Sequence, residues 1–370
     1  MNIEPYTTVS RPAWEAVCAG SSQAWLFHRA AWVDIEERIF VKANCSFGLR
    51  LGDRLIGVHP LYLGDAASGT GGERLLHSGI HRHTGLALVD GLDGPTVRAA
   101  QSVAIRNVFS LAESMDVDRV QLNSHNLAPL NLSPARREIP FWVEEFGFFL
   151  GLQVGKDGIV PAPGMATCNA DQIVDLGGAE EELFRRLDNR QNVRKAQAAG
   201  LVFEIGEDES CVDSYYAIAR RSASRTGEQL PPADYYRTLW RALKGDDHCA
   251  VLFTSKDGTR LAGLFLVIDK NAASFLAGVS DPEYLPLRVN DFLHWSAMVW
   301  AKRKGLLHYR LGPIFPELPA SWPVSRVSAF KSKFGARSFT TIQGSFFRRP
   351  EKYVKAAITQ LRALCEKRAT

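Results

Sequence analysis

Apolar residues recur along this chain at two periods, one helical and one alternating, and stretches of each kind follow one another in order. Residues 11–43 carry Trp14, Val17, Trp25, Phe27, Trp32, Ile35 and Ile39 in a helical rhythm. A hairpin is predicted next, with strands Ser46–Leu51 and Arg54–Leu63 joined by a Gly52-Asp53 turn. Leu75–Ser78 and Thr84–Val89 predict short strands. Asp93-Gly94-Pro95 opens a helix over Thr96–Met115, with proline allowed in its first turn, and Arg119–Asn123 predicts another strand. Gly151–Gly164, rich in glycine and proline, predicts a linker.

After Asp175-Leu176 the pattern is helical over Glu180–Ala199 and stops at Gly200. Strand Leu201–Ile205 and helices Asp213–Arg225 and Asp234–Leu243 follow. Cys249–Lys256 and Arg260–Ile268 then predict a hairpin around Asp257-Gly258, with a strand at Ser274–Val279. Asn290-Asp291 starts a nearly all-apolar helix that Lys302-Arg303-Lys304-Gly305 ends, with cations on the negative end of the helix dipole. Strand Leu307–Leu311 completes the series. The order hairpin, strand, helix, strand thus occurs twice, the copies roughly 190–205 residues apart, which predicts two similar α/β (α+β) domains. The expected boundaries are 1–165 and 166–345, with a basic helix over 346–370 packing back on the first domain.

Composition keeps this picture and adds an asymmetry of charge. Hydrophobic content of 46% and charged content of 23% fit an ordinary globular chain with a sizeable core. Met1-Asn2-Ile3-Glu4-Pro5-Tyr6 has neither the basic nor the apolar region of a signal peptide, and the apolar run Leu261–Ile268 is too short to cross a bilayer. A cytoplasmic protein is expected, its six scattered cysteines reduced. Residues 1–170 hold 14 Lys+Arg against 17 Asp+Glu, whereas residues 171–370 hold 30 against 23, and 11 against 2 fall within 321–370. Such a basic end is either a solvated helix face or a surface for phosphates, as in nucleic acid, a nucleotide-linked substrate or lipid headgroups.

Common hydrolase chemistry is not indicated: the chain has neither a G-x-S-x-G elbow nor a G-x-x-x-x-G-K-[ST] loop. His77, His81 and His83 lie close together, but no cysteine or carboxylate nearby completes a ligand set, so no metal is expected.

Residues 175–205, DLGGAEEELFRRLDNRQNVRKAQAAGLVFEI, carry an Asp-Leu start, an acidic then basic helix, the core Arg190-Gln191-Asn192-Val193-Arg194-Lys195-Ala196, and a glycine before a strand. With Asn290-Asp291-Phe292-Leu293-His294-Trp295, Trp300-Ala301-Lys302, Phe330-Lys331 and Phe334-Gly335, this stretch resembles the FemABX family. That family is the aminoacyl-transferring branch of the GNAT superfamily, to which BioF-type acetyltransferase-like proteins are related. The likeness covers residues 171–346; the first domain matches in element order only. The resemblance implies two tandem GNAT-like domains, each a mixed, mostly antiparallel sheet flanked by helices. It also implies amide-bond formation, an acceptor amine attacking the ester carbonyl of an aminoacyl-tRNA, with a peptide or nucleotide-linked, peptidoglycan-precursor-like acceptor and no resident cofactor.

By match to the Phe-Lys-x-x-Phe-Gly motif, Lys331 is expected to stabilise charge in the transition state and Phe330 to shape the pocket for the acceptor end. Arg190 and Arg194 would hold an acidic group of the acceptor, and Tyr235 or Tyr236 would line the same cleft. Arg288, Asn290 and Asp291, at the loop before the helix, complete the candidate substrate-binding residues, Asp291 also reading as a capping residue. One departure from the family pattern is the strand end Tyr309-Arg310-Leu311-Gly312-Pro313, where an acidic or apolar residue usually precedes a Gly-Gly. Two alternatives stay open. An N-acyltransferase using acyl-CoA or an acyl-carrier protein is supported by Arg288, although neither copy of the loop offers the bare glycine backbone that wraps a pyrophosphate. A non-catalytic basic binding module is the other.

Overall fold

The computed structural model describes residues 1–39, 41, 43–65, 74–79, 84–123, 127–132, 152–155, 158–161, 164–226, 229–314 and 323–348. The chain divides into two units, Met1–Cys168 with Thr341–Thr370, and Asn169–Thr340.

Unit 1 contains strands β1 (Asn2–Pro5), β2 (Ala43–Asn44), β3 (Phe47–Leu51), β4 (Arg54–His59), β5 (Tyr62–Asp65), β6 (Arg74–His77), β7 (Ala87–Leu88) and β8 (Arg119–Asn123). Its helices are α1 (Arg11–Ala19), α2 (Ala30–Ile39), α3 (Gly94–Ser114) and the single turn α4 (Pro129–Leu132). One sheet has the order β1-β3-β4-β7; in another, β8-β6-β5-β2 lie side by side, β6 and β8 parallel. The predicted strand Arg54–Leu63 is therefore two strands in two sheets. Pro60, which has no N–H to give a ladder, marks the break. Helix α3 starts where the sequence placed it, with Asp93 Oδ1 accepting from the Thr96 amide at 2.7 Å. Its buried residues Ala100, Ala104, Ile105, Val108 and Ala112 share one face and meet Leu49, Ile56, Leu76 and Val120 of the strands. The helical rhythm over residues 11–43 resolves into α1, a 3₁₀ turn at Leu26–His28, and α2.

The stretch Gly151–Gly164, expected as a linker, holds strands where it is described. Leu152–Gly155 (β9) and Gly158–Pro161 (β10) form an antiparallel hairpin that leads into the long strand Gly164–Asp175 (β11). Glycine and proline punctuate tight hairpins as readily as linkers, so composition alone does not separate the two. The basic helix expected over 346–370 lies outside the described residues from 349 onward, and Phe346 and Phe347 belong to the strand Arg337–Phe347 (β17).

Unit 2 contains helices α5 (Glu180–Arg185) and α6 (Arg190–Ala198), strand β12 (Val202–Ile205), and helices α7 (Ser210–Thr226) and α8 (Ala233–Leu243). Strands β13 (Cys249–Lys256), β14 (Thr259–Asp269) and β15 (Ala272–Ser280) follow, then α9 (Val289–Arg303), β16 (His308–Ile314) and α10 (Pro323–Lys331). The sheet order is β12-β13-β14-β15-β16-β11, antiparallel throughout except for β15 beside β16. The hairpin of β13 and β14 turns at Asp257 (φ 49°) and Gly258 (φ 77°), the left-handed pair that a two-residue turn requires. Helix α9, buried through Leu293, Ala297, Met298 and Ala301, connects the two parallel strands in sequence and packs on the sheet chiefly over β13 and β14. Fully burying Leu293 or Met298 stabilises the unit by about 1.5–3 kcal/mol each, the two alanines by less.

Two sequence expectations fail here. The helix predicted over Glu180–Ala199 breaks between α5 and α6. Helix α9 does not start at Asn290-Asp291 but at Val289: the residue before its first turn is Arg288, left-handed at φ 66°, with no side-chain cap. Asn290 Nδ2 instead donates to Ser280 Oγ at 3.1 Å. Among the described residues no helix is long and apolar enough to cross a membrane.

Candidate active site

Strands β15 and β16 are registered side by side only over Ala272↔His308, Ala273↔Tyr309 and Ser274↔Arg310. Beyond that point β15 stays with β14 as far as Ser280, and β16 stays with β11 as far as Ile314. Two parallel strands joined by a covering helix thus part at their carboxyl ends, where α/β sheets place ligands. On β11 and β16 the register slips between Gln172 and Ile173, and Gly312 takes φ 91° opposite the slip. That kink lets a side chain from the following helix come in close.

The side chain is Lys331, the last residue of α10. Its Nζ donates to the Pro313 carbonyl at 3.0 Å and lies 6.0 Å from the centre of the Phe275 ring on β15. A Cβ on residue 312 would stand 3.2 Å from Nζ, so the glycine keeps the approach open. Desolvation and the nearby Arg310 guanidinium push the Lys331 ammonium down to about 8, with Asp171 opposing. At neutral pH it is still mostly protonated, but poorly hydrated.

Arg310, the departure noted in the sequence, is almost wholly buried. Its Nε and Nη2 donate to Asp171 Oδ2 and Oδ1 on β11 at 3.0 and 2.7 Å, a two-pronged pair, and its Nη1 reaches Ser274 Oγ at 3.4 Å. The fork crosses from β11 over β16 to the last registered residue of β15, at the point where the strands part.

Behind Lys331 lies an aromatic box. His294 on α9 sits 5.3 Å from Phe275, 5.7 Å from Phe330 and 5.3 Å from Phe334, ring centre to ring centre. Its Nδ1 is 3.0 Å from the Tyr309 hydroxyl. Burial and the Lys331 charge push the imidazole down to about 3, and burial pushes the Tyr309 phenol well above its ordinary range. The contact therefore joins two neutral groups. It fixes the rings on either side of Lys331, and so the helix end that carries it.

The break between α5 and α6 has its cause at the same place. Asp188 N donates to the Lys333 carbonyl at 2.9 Å instead of continuing a helical ladder. The buried Asp291 carboxylate accepts from Asn189 Nδ2 at 2.6 Å and Asn192 Nδ2 at 3.2 Å. Gly335, left-handed at φ 67°, lies so close to Arg186 that a Cβ would stand 2.8 Å from that carbonyl oxygen. The glycine of the Phe-Lys-x-x-Phe-Gly motif is thus required by contact with the Arg-Leu-Asp-Asn stretch.

The structure brings Lys331 and Phe330 to the opening and leaves other candidates elsewhere. Asp291 is buried under the α5–α6 break, and its bonds are to asparagines rather than to solvent or a helix cap. Tyr236 is a core residue, packed against Tyr215, Tyr235 and Phe265. Tyr235 beside it is half-buried. Arg288 is exposed at the start of α9, and Asn290 is half-buried on Ser280. Arg190 and Arg194 are exposed: Arg190 donates to the Arg185 carbonyl, and Arg194 lies 5.5 Å from the Phe184 ring centre. Sequence reasoning does not single out His294, Tyr309, Asp171 or Asn189; Arg310, the departure noted there, pairs with Asp171 alone of the four. Of the three histidines weighed for a metal, His77 is buried and His81 and His83 lie outside the described residues.

Residues 184–317 match the family model described as acetyltransferase (GNAT) domain. In structure, the chain is similar to FemX, with a TM-score of 0.67 at 14% identity over 95% of this chain and 99% of that one. It is also similar to a tandem GNAT protein from the clavulanic acid biosynthesis pathway (TM-score 0.53, 14% identity, 94% and 98% covered). A third likeness is to the C-terminal domain of a putative lysylphosphatidylglycerol synthetase from Agrobacterium fabrum (TM-score 0.53, 14% identity, 95% and 98% covered). Among curated proteins nothing matches the sequence. Residues 184–317 are thus similar to a GNAT acetyltransferase domain, and the chain has the mixed α/β fold seen in FemX and in a tandem GNAT protein.

Proposed function

We propose that this chain is an aminoacyltransferase. It moves an aminoacyl group from an aminoacyl-tRNA to an amine of a peptide or nucleotide-linked, peptidoglycan-precursor-like acceptor, with Lys331 as the catalytic cation. The observation that carries the proposal is a single half-buried ammonium at the point where β15 and β16 part. The acceptor nitrogen attacks the ester carbonyl and a C–N bond forms. The carbonyl oxygen takes up negative charge opposite Lys331 Nζ, and the ester C–O bond then breaks. The proton lost by the amine passes to the leaving ribose oxygen. A preorganised, poorly hydrated cation lowers the barrier because no water needs to reorganise as the charge develops. Phe330, held by the box around His294, would border the acceptor end, and no resident cofactor is required.

The RNA ester is favoured over a thioester of coenzyme A by the start of α9. A pyrophosphate would meet Pro286, Leu287 and Arg288 in place of bare glycine backbone. Asp291 stands in the first turn of α9, and a carboxylate there disfavours phosphate. A charged tRNA donor also fits a cytoplasmic location. The test is transfer of a radiolabelled amino acid from charged tRNA to an amine acceptor by the purified chain. Product that still forms after ribonuclease has destroyed the donor overturns the proposal.

The match of residues 184–317 to an acetyltransferase model favours one second reading, N-acylation from acyl-CoA or an acyl-carrier protein, with exposed Arg288 receiving a phosphate. Calorimetric binding of coenzyme A in the micromolar range, lost in Arg288→Ala, would select it. Any transfer product excludes a purely non-catalytic binding module.

A further inference from the structure

Cations and carboxylates are distributed unevenly over unit 2. Elsewhere on the unit several cations are matched: Arg237 pairs with Asp213, Arg241 with Glu209, Arg303 with Glu180 and Lys304 with Asp247. Around the α5–α6 break they are not. Residues 185–195 and 331–337 together hold eight Lys+Arg against the single carboxylate of Asp188. Among the described residues, none of Arg185, Arg190, Arg194, Lys195, Lys333 and Arg337 has a carboxylate within ion-pair distance, and all six are exposed. The two segments are neighbours, because the Asp188 amide bonds the Lys333 carbonyl and Gly335 abuts Arg186.

Resting on the aminoacyl-tRNA reading above, we propose that this face, the outer side of α6 with Lys333 and Arg337, is where the sugar-phosphate backbone of the RNA donor lies. Arg190 and Arg194 then serve the donor, not an acidic group of the acceptor. Three observations point this way. The face is contiguous with the segment that carries Lys331, the residue proposed to hold the ester. Arg190 and Arg194, one helical turn apart, are both laid toward α5 by the Arg185 carbonyl and the Phe184 ring, which makes them an oriented pair of guanidinium donors. The exposed residues of α6 are Arg190, Gln191, Arg194, Lys195, Gln197 and Ala198, without the large apolar side chains that a membrane-seated helix inserts between its cations.

The test is binding of fluorescently labelled, deacylated tRNA to the full chain by anisotropy across a range of salt concentrations, with no turnover involved. Arg190→Glu with Arg194→Glu is expected to weaken binding by at least about tenfold at low salt. It should also flatten the log–log salt dependence by about 1.4, two phosphate contacts at about 0.7 each. The milder Arg190→Gln with Arg194→Gln pair, checked for an unchanged melting temperature, should give the same direction if the first variant folds poorly. Arg237→Glu, on the matched surface, should leave affinity within about twofold. Unaltered RNA affinity in both double variants overturns the proposal. So does tighter binding to vesicles of phosphatidylglycerol and phosphatidylcholine than to tRNA, lost in the same variants, which would make the face a membrane surface. RNA binding that depends on these arginines in a chain unable to transfer from charged tRNA would sink the donor reading and leave the surface standing.

Discussion

Asn189 Nδ2 donates to Asp291 Oδ1 at 2.6 Å across a separation of 102 residues, and both side chains are buried. The bond ties the start of α9 to the break between α5 and α6, and the break in turn holds the Lys333 carbonyl through Asp188 N. Asn189→Ala leaves the Asp291 carboxylate with Asn192 at 3.2 Å as its remaining donor of the two. The expected loss of stability is about 1–3 kcal/mol, the usual cost of stranding a buried polar group. Urea denaturation reads the loss directly. Because the same break positions the Lys331 segment, kcat should fall at temperatures where the variant is still fully folded. A variant that loses stability and keeps kcat would show the link to be structural only.

Removing the ammonium is the sharpest test of the chemistry. Lys331→Ala should lower kcat by about 10²–10³ with little change in KM, as deletion of an oxyanion-stabilising donor does elsewhere. Gly312→Ala should act on the same step from a distance. Its added Cβ would stand 3.2 Å from Nζ, in a backbone conformation with φ 91° that L side chains rarely adopt. A cost of about 1–2 kcal/mol in stability and a reduced kcat are expected. Wild-type kinetics in Gly312→Ala would mean that the amine does not need its seat beside Pro313.

Much of this was legible in the sequence wherever the cause is local. The Asp257-Gly258 hairpin, helix α3 with its Asp93 cap and strand β8 follow from turn chemistry and periodicity within a few residues. Lys331 was reached because its neighbours Phe330, Phe334 and Gly335 form a pattern, and the structure gives that pattern physical causes: rings that enclose His294 and a glycine pressed against Arg186. The rest depends on partners distant in the chain. The helix over Glu180–Ala199 breaks because Asp188 and Asn189 bond to Lys333 and Asp291. Arg310 stood out as unusual, yet Asp171 lies 139 residues away and nothing local points to it. Tyr236 was read as lining a cleft because a helical tyrosine facing Phe265 has the same local sequence as one facing solvent.

The protonation state of Lys331 sets a sign for the pH dependence. As a charge stabiliser the lysine works in its protonated form, and its amine is pushed down to about 8. The ratio of kcat/KM for the wild type to that for Lys331→Ala removes the titration of the acceptor amine, which both enzymes share. That ratio should be level near pH 6–7 and fall as pH rises through about 8. A ratio that rises through the same range would mean that Lys331 acts as a neutral base.

Arg310→Met tests the electrostatics that place that midpoint. The guanidinium beside Lys331 disfavours the charged amine, and the Asp171 carboxylate favours it. Deleting Arg310 removes the repulsion and leaves Asp171 without its two-pronged partner, so both changes favour the ammonium. The midpoint of the kcat/KM ratio should therefore move above about 8, toward the ordinary range of lysine. The same substitution breaks a buried ion pair from one side, for which a stability loss of about 3–5 kcal/mol is expected. Charge removal on both sides separates the two effects. Arg310→Met combined with Asp171→Leu should recover much of the stability, because no unpaired carboxylate remains. Its midpoint should lie below that of Arg310→Met alone, because the attraction of Asp171 for the ammonium is gone. A midpoint that stays at about 8 in all three proteins would assign the lowering of Lys331 to burial alone.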